Sequence, residues 1–179
     1  MYKFDYIFGV MLKMNLKKLK KIKLVLTDVD GVLTDGGMYY SSKGDIMKKF
    51  HVRDGMGVNI LKRSGIGTII VTKEKNMIIR KWAKKMNVIK LFEGVQDKTK
   101  ILPKVCDTFS LIPENIAYIG DDVNDVGLLK LVGFSVAPND AILEVKNICD
   151  YVSKQSSGNG SFRELADLII NSQNLKEKH

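Results

Sequence analysis

Asp28-Val29-Asp30-Gly31 follows directly on an apolar run, residues 22–27. Such a run ending in acids is the pattern of a buried strand whose carboxyl end opens on solvent. An aspartate in that place can attack phosphorus and carry the group as an aspartyl-phosphate. A second aspartate two residues on leaves the strand pointing the same general way. It can protonate a departing alkoxide and then activate water. Phosphoryl transfer also needs its charge neutralised. Two further strand ends offer polar groups: Thr72-Lys73-Glu74 after the apolar residues 68–71, and Gly120-Asp121-Asp122-Val123-Asn124-Asp125 after 116–119. Acids crowded at one rim repel each other and raise their own pKa values. A bound cation relieves that, and an all-oxygen site suits magnesium.

Those strand ends must be held at one edge, and the rest of the chain supplies the frame. Apolar runs predict strands over 22–27, 68–71, 88–92, 116–119 and 134–136. Residues 38–40 and 46–52 flank the turn Ser42-Lys43-Gly44-Asp45 and read as a hairpin. Helices are expected from Asp54, as cap, to about Ser64, over 76–86, over 98–109 with Pro103 as a blemish, and from the acids after 119 through Leu131. The last helices are expected over 141–148 and 162–170, joined through Ser156-Ser157-Gly158-Asn159-Gly160. In the second helix Ile79, Trp82, Ala83 and Met86 share one face. This alternation implies an α/β protein, a three-layer α/β/α sandwich with a mostly parallel sheet. In such folds ligands bind outside the carboxyl ends of the strands.

Composition narrows the class. The chain has 179 residues, 45% hydrophobic, the size and core content of one compact domain. Its longest early apolar stretch, residues 6–12, falls far short of the roughly 20 residues that span a bilayer. Lys17 and the basic run after it do not suit a signal peptide. Cys106 and Cys149 have neither metal-ligand nor redox spacing and read as reduced apolar residues, which suits the cytoplasm. Six of the nine net positive charges fall in residues 1–23. Residues 1–15 therefore read as a flexible basic leader before a single domain over 16–179, with Met14 as an alternative start. No motif points to nucleic acid or membrane.

The motifs together resemble the haloacid dehalogenase superfamily: 28–36, Thr72, Lys98 and 120–125 match its four motifs. The closer resemblance is to its capless 3-deoxy-D-manno-octulosonate 8-phosphate phosphatases and covers about residues 16 to 172. It takes in Arg53-Asp54-Gly55-Met56-Gly57, Gly94-Val95-Gln96-Asp97-Lys98 and Gly158-Asn159-Gly160-Ser161-Phe162-Arg163-Glu164. The resemblance implies a haloacid dehalogenase-like Rossmannoid fold with a β-hairpin flap and no cap domain. It implies Asp28 as nucleophile and magnesium ligand, and Asp30 as general acid/base with its backbone carbonyl on the metal. Asp121 becomes the third metal ligand, and Thr72 and Lys98 hold the phosphoryl group. Asp122, Asn124 and Asp125 would orient the ligands and Lys98 from behind.

One departure concerns the substrate. Where the octulosonate phosphatases usually have Gly-Arg after the threonine, this chain has Lys73-Glu74. A glutamate there resembles the branch acting on nine-carbon keto-deoxy acids, the nonulosonate or N-acylneuraminate 9-phosphates. Equally, Glu74 reads as a surface acid at a helix start. Arg53 is placed to meet a substrate carboxylate through a bidentate pair, whereas His51 reads as a strand residue without a role. Other readings are a less selective phosphomonoesterase, a phosphoacceptor signalling domain, and a non-catalytic oligomerisation module like those fused to sialic acid cytidylyltransferases. Asp28 and Asp30 together on the first strand favour the phosphatase. The resemblance further implies a homotetramer built on the hairpins, with Tyr39, Ile46 and Phe50 as apolar surface. The segment 158–164 would then reach a neighbour's site, where Arg163 meets the anionic substrate.

Overall fold

The computed structural model describes residues 15–174. Eight strands occur among them: β1 (Leu24–Thr27), β2 (Tyr39–Ser41), β3 (Gly44–Met47), β4 (Gly67–Val71), β5 (Lys90–Phe92), β6 (Ile116–Ile119), β7 (Phe134–Ala137) and β8 (Tyr151–Val152). The helices are α1, described over 15–20, α2 (Val52–Arg63), α3 (Met77–Lys85), α4 (Ile101–Phe109), α5 (Val126–Leu129), α6 (Leu143–Ile148) and α7 (Ser161–Asn174). Six strands form one sheet, in the order β5-β4-β1-β6-β7-β8, and every neighbouring pair is parallel. Strands β2 and β3 make a separate antiparallel hairpin. The expected α/β sandwich with a hairpin is the observed fold.

Alternation along the strands feeds two cores. Val25, Ile70, Ala117 and Val136 pack with Val58 and Leu61 of α2, Ile79 and Ala83 of α3, and Phe162, Leu165 and Ile169 of α7. Leu24, Leu26, Ile69 and Tyr118 pack on the opposite face with Ile101 and Val105 of α4, Leu128 of α5 and Val145 of α6. Every residue of β1 is buried, so both faces of the sheet are covered and the strand reads as an unbroken apolar run. The chain leaves β1 to build β4 and β5 on one side, then crosses back to lay β6 on the other. Neighbours of a central strand that are reached in opposite directions leave a crevice at its carboxyl end.

Several local expectations are corrected. Residue 15, given to the leader in the sequence, is helical, and Asn15 Nδ2 donates to the Asp150 carbonyl at 3.2 Å. Residues 1–14 lie outside the described residues. The second hairpin arm stops at Met47, and Val52 begins α2. His51 is thus the N-cap of α2 and not a strand residue: its Nδ1 accepts from the Arg53 amide at 3.2 Å. Strand β8 was not expected, because two residues carry no periodicity. Pro103 sits in the first turn of α4, where its missing N–H costs little.

Asp54 was expected to cap its own helix, and it caps another. Its buried carboxylate accepts from the Gly160 amide at 3.1 Å and the Arg163 amide at 2.9 Å. These amides belong to the loop before α7 and its first turn, so Asp54 sews α2 to α7. Burial pushes its pKa up against the pull of those amides. Gly57 of α2 serves the same contact, since a Cβ there would lie 3.1 Å from Arg163 Cα. Replacing Asp54 by Ala leaves two buried amides unpaired and should cost about 2 kcal/mol. The expected fall in Tm is roughly 4–8 °C, measured by calorimetry on both proteins.

Candidate active site

The carboxyl ends of β1, β4 and β6 meet at one cleft, lined by Asp28, Asp30, Thr72, Glu74, Asp121 and Asn124 among others. Asp28 follows β1 directly and is nearly buried; its Oδ1 accepts from the Val29 amide at 2.8 Å. Lys98 approaches from the single turn of 3-10 helix before α4. Its ammonium lies 2.7 Å from Asp28 Oδ2 and 2.6 Å from Asp125 Oδ1, and it donates to Tyr118 Oη at 3.2 Å. Those three contacts use the three N–H groups a lysine has. Burial alone would lower the Lys98 pKa, but the Asp28 and Asp125 carboxylates outweigh it and hold the pKa above its usual value.

Asp125 works from behind. Its Oδ1 also accepts from Tyr118 Oη, at 2.5 Å, and its Oδ2 accepts from the Asp121 and Asp122 amides at 2.9 and 3.3 Å. Asn124 Nδ2 donates to Asp125 Oδ1 at 3.5 Å, and the Asp122 carboxylate accepts from the Val123 amide. Tyr118 is a site residue that the sequence reading missed. It sits mid-strand in β6 with its ring in the apolar core, and only the hydroxyl reaches the acids. No spacing signal marks such a residue.

One oxygen from each of Asp28, Asp121 and Asp125 lies within 4.8 Å of the others. Burial raises the Asp28 pKa to about 7, Lys98 opposing and Asp125 reinforcing. Burial likewise raises Asp121 to about 8, with Asp28 and Asp125 adding to it. Asp121 Oδ1 is buried with no hydrogen-bond partner among the described residues. An orphaned carboxylate oxygen facing other acids fits a cation site. Asp125 has its oxygens filled by donors, so Asp28 and Asp121 are the side chains free to hold a metal. Gly31 permits this approach: its φ is +81°, and a Cβ there would lie 1.9 Å from Asp121 Oδ2.

The carboxylate of Asp30 lines the same cleft but is not part of that trio. Its Oδ1 accepts from Thr34 Oγ1 at 3.1 Å and from Lys48 Nζ at 2.8 Å. Lys48, also missed in the sequence, reaches Glu74 Oε2 at 3.0 Å as well. Thr72 is buried, and its Oγ1 accepts from the Glu74 amide at 3.2 Å, which leaves the hydroxyl's own proton for an acceptor in the cleft.

Two expected substrate contacts are not brought here. Arg53 and Arg163 line a different cleft, with Gln155, Asn159 and Asn171. Arg163 Nε donates to Asp167 at 2.9 Å. The segment 158–164 is fastened to its own chain. Gly158, at φ +55°, donates its amide to the Val32 carbonyl at 2.9 Å, and a Cβ there would lie 2.4 Å from the Asp35 nitrogen. Glu164 accepts from Tyr151 Oη and Ser153 Oγ at 2.6 and 2.7 Å. The close approach its glycines allow is made within the subunit.

Known proteins share both the order of these loops and the sheet beneath them. The family model of haloacid dehalogenase-like hydrolases matches residues 63–165. The 3-deoxy-D-manno-octulosonate 8-phosphate phosphatase of Haemophilus influenzae is 37% identical over 157 residues, 88% of this chain and 87% of that one. A Legionella pneumophila structure assigned to subfamily III A of the superfamily superposes with a TM-score of 0.92 at 36% identity, covering 94% of this chain and 93% of its own. The octulosonate phosphatase of Moraxella catarrhalis, solved with magnesium, phosphate and the sugar acid, gives 0.86 at 34% identity over 89% and 91%. Agreement this extensive, in sequence and in backbone alike, makes the chain a member of the haloacid dehalogenase-like hydrolases, within the family of the 3-deoxy-D-manno-octulosonate 8-phosphate phosphatases.

Proposed function

We propose that this chain is a magnesium-dependent phosphomonoesterase that hydrolyses 3-deoxy-D-manno-octulosonate 8-phosphate through an aspartyl-phosphate on Asp28. The observation that carries this reading is the buried Asp28 carboxylate, held at 2.7 Å by Lys98 beside the partnerless Asp121 oxygen. A carboxylate of Asp28 attacks phosphorus, and the bond from phosphorus to the sugar oxygen breaks. Asp30 gives its proton to that oxygen, then as carboxylate takes a proton from water. The water oxygen attacks phosphorus, the bond to Asp28 breaks, and inorganic phosphate leaves. Thr72 donates its hydroxyl proton to a phosphoryl oxygen, and Lys98 neutralises the charge that grows there. Magnesium, held by Asp28, Asp121 and the Asp30 carbonyl, supplies further neutralisation when bound.

Glu74 supports a second reading, a nine-carbon nonulosonate or N-acylneuraminate 9-phosphate as substrate. It lines the cleft while paired with Lys48, so its position at the rim is fixed. Arg53 and Arg163 keep a role toward substrate only if a neighbouring subunit brings their cleft to the site. Assembly has its own support. Met38, Tyr40, Ile46 and Met47 leave more than half of their surface exposed on the hairpin, and apolar residues gathered on an exposed β-edge invite burial by another copy. Phe50 is not among them: it stacks on Trp82, ring centroids 4.7 Å apart. We propose a homotetramer built through the hairpins, and sedimentation at assay concentration should give four chains; an active monomer would refute it.

A panel of phosphorylated eight- and nine-carbon keto-deoxy acids tests the substrate, with phosphate release as the readout. The eight-carbon ester should show the highest kcat/KM, and preference for a nine-carbon ester would move the assignment to the second reading. Asp28→Asn should abolish turnover of both while leaving the fold intact; near-normal activity would overturn the mechanism.

The metal is tested through stability. Asp28 and Asp121 have folded pKa values of about 7 and 8, above their ordinary 3.8. The metal-free folded chain therefore holds protons that the unfolded chain has released, and its stability falls as pH rises through that window. Magnesium must displace those protons to bind. Adding it should raise Tm more at about pH 8 than at about pH 5.5, measured by thermal denaturation with and without chelator. An equal shift, or none, would count against the site.

A further inference from the structure

We propose that Lys48 is a positioning residue for Asp30, through which the hairpin sets the orientation of the acid/base carboxylate. This rests on the role given to Asp30 above. Lys48 lies between β3 and α2, and its neighbours Met47 and Lys49 are exposed. Yet its side chain is only 4% exposed. An ammonium so enclosed needs opposite charges around it. Its partners are Asp30 Oδ1 at 2.8 Å, Glu74 Oε2 at 3.0 Å and, more distantly, Asp45 Oδ2 at 3.9 Å.

Those partners fix it from three elements. Asp45 belongs to β3 and accepts from Asn76 Nδ2 at 2.9 Å, and Asn76 is the N-cap of α3. Glu74 stands in the loop just before that cap. The hairpin is thereby latched to the β4–α3 loop, and Lys48 carries the latch to Asp30. Among the described residues, the two donors that reach the Asp30 carboxylate, Lys48 Nζ and Thr34 Oγ1, both take Oδ1. Oδ2 is the oxygen they leave for a leaving group or a water. Lys48 does not line the cleft itself; of the two carboxylates it holds there, Asp30 and Glu74, Asp30 is the one given the proton transfers, so an effect on kcat passes through Asp30. Proton transfer requires hydrogen-bond reach and alignment, so a carboxylate free to turn about its own bonds is a poorer acid and base.

Lys48→Met keeps the side-chain stem and removes the ammonium; Lys48→Arg keeps the charge. Crystal structures of wild type and Lys48→Met need no turnover: the Asp30 carboxylate should leave its Thr34 contact or occupy more than one rotamer. With a phosphorylated keto-deoxy sugar acid, kcat of Lys48→Met should fall about tenfold or more. KM should stay within about twofold, since binding of the ground state is not what is lost. Lys48→Arg should recover part of kcat and keep Tm, whereas Lys48→Met, which leaves Asp30, Glu74 and Asp45 without their shared ammonium, should lose some Tm. An Asp30 that keeps its place in Lys48→Met would overturn the proposal. So would an unchanged kcat, or a fall matched by lost Tm and not rescued by Arg. Wild type inert toward every phosphomonoester would instead defeat the proposed function, while the crystal structures would still decide the role of Lys48.

Discussion

A buried ammonium between two carboxylates is the constraint around which this molecule is arranged. Lys98 lies within 2.7 Å of Asp28 and 2.6 Å of Asp125 with almost no exposure to solvent. An isolated charge there would be expensive, and each partner removes part of that cost. The compensation is incomplete on the acidic side, because Asp28, Asp121 and Asp125 outnumber the single lysine. Asp28 and Asp121 answer with raised pKa values, and one Asp121 oxygen is left without a partner among the described residues. The same imbalance makes the place receptive to a divalent cation and to a phosphoryl group.

Holding such a cluster requires backbones to come closer than side chains normally allow. Gly31 lets the loop after β1 pass against Asp121, and Gly158 lets the loop before α7 rest on residues 34 and 35. The loop bearing Asp28 and Asp30 is thus clamped from the site side and from behind. Asp54 completes the clamp by holding the amides at the start of α7. The C-terminal motif and the first motif, far apart in the chain, are one structural unit.

The hairpin has two faces with different tasks. Outward it offers exposed Met38, Tyr40, Ile46 and Met47. Inward, just past β3, Lys48 reaches Asp30 and Glu74. Any copy of the chain that seats the outer face also bears on the segment carrying Lys48. Among the described residues, which include no cap domain, the hairpin is the element that carries both an exposed apolar face and a contact to Asp30.

Much was fixed by sequence alone. Apolar runs ending in acids determined the buried parallel strands, because a strand covered on both faces has no polar positions to interrupt it. The same runs placed Asp28, Thr72 and Asp121 at strand ends, and all three line one cleft. Short and irregular features were less legible: β8 has two residues, and His51 caps a helix where a strand was expected. What only the tertiary structure decided were partnerships between distant charges. Asp54 reads locally as a cap for α2, and folding gives it to the amides at the start of α7, 106 and 109 residues away. Lys48 and Tyr118 look like an ordinary lysine and a core aromatic, yet one meets Asp30 and the other Asp125. Arg53 and Arg163 looked like anion-binding groups, and the fold places them together in another cleft. Residue type and spacing report what lies along one strand or helix, because the backbone repeats at a fixed period. Which charge neutralises which is set by packing, where burial forces every ionised group to find a partner, however far along the chain it lies.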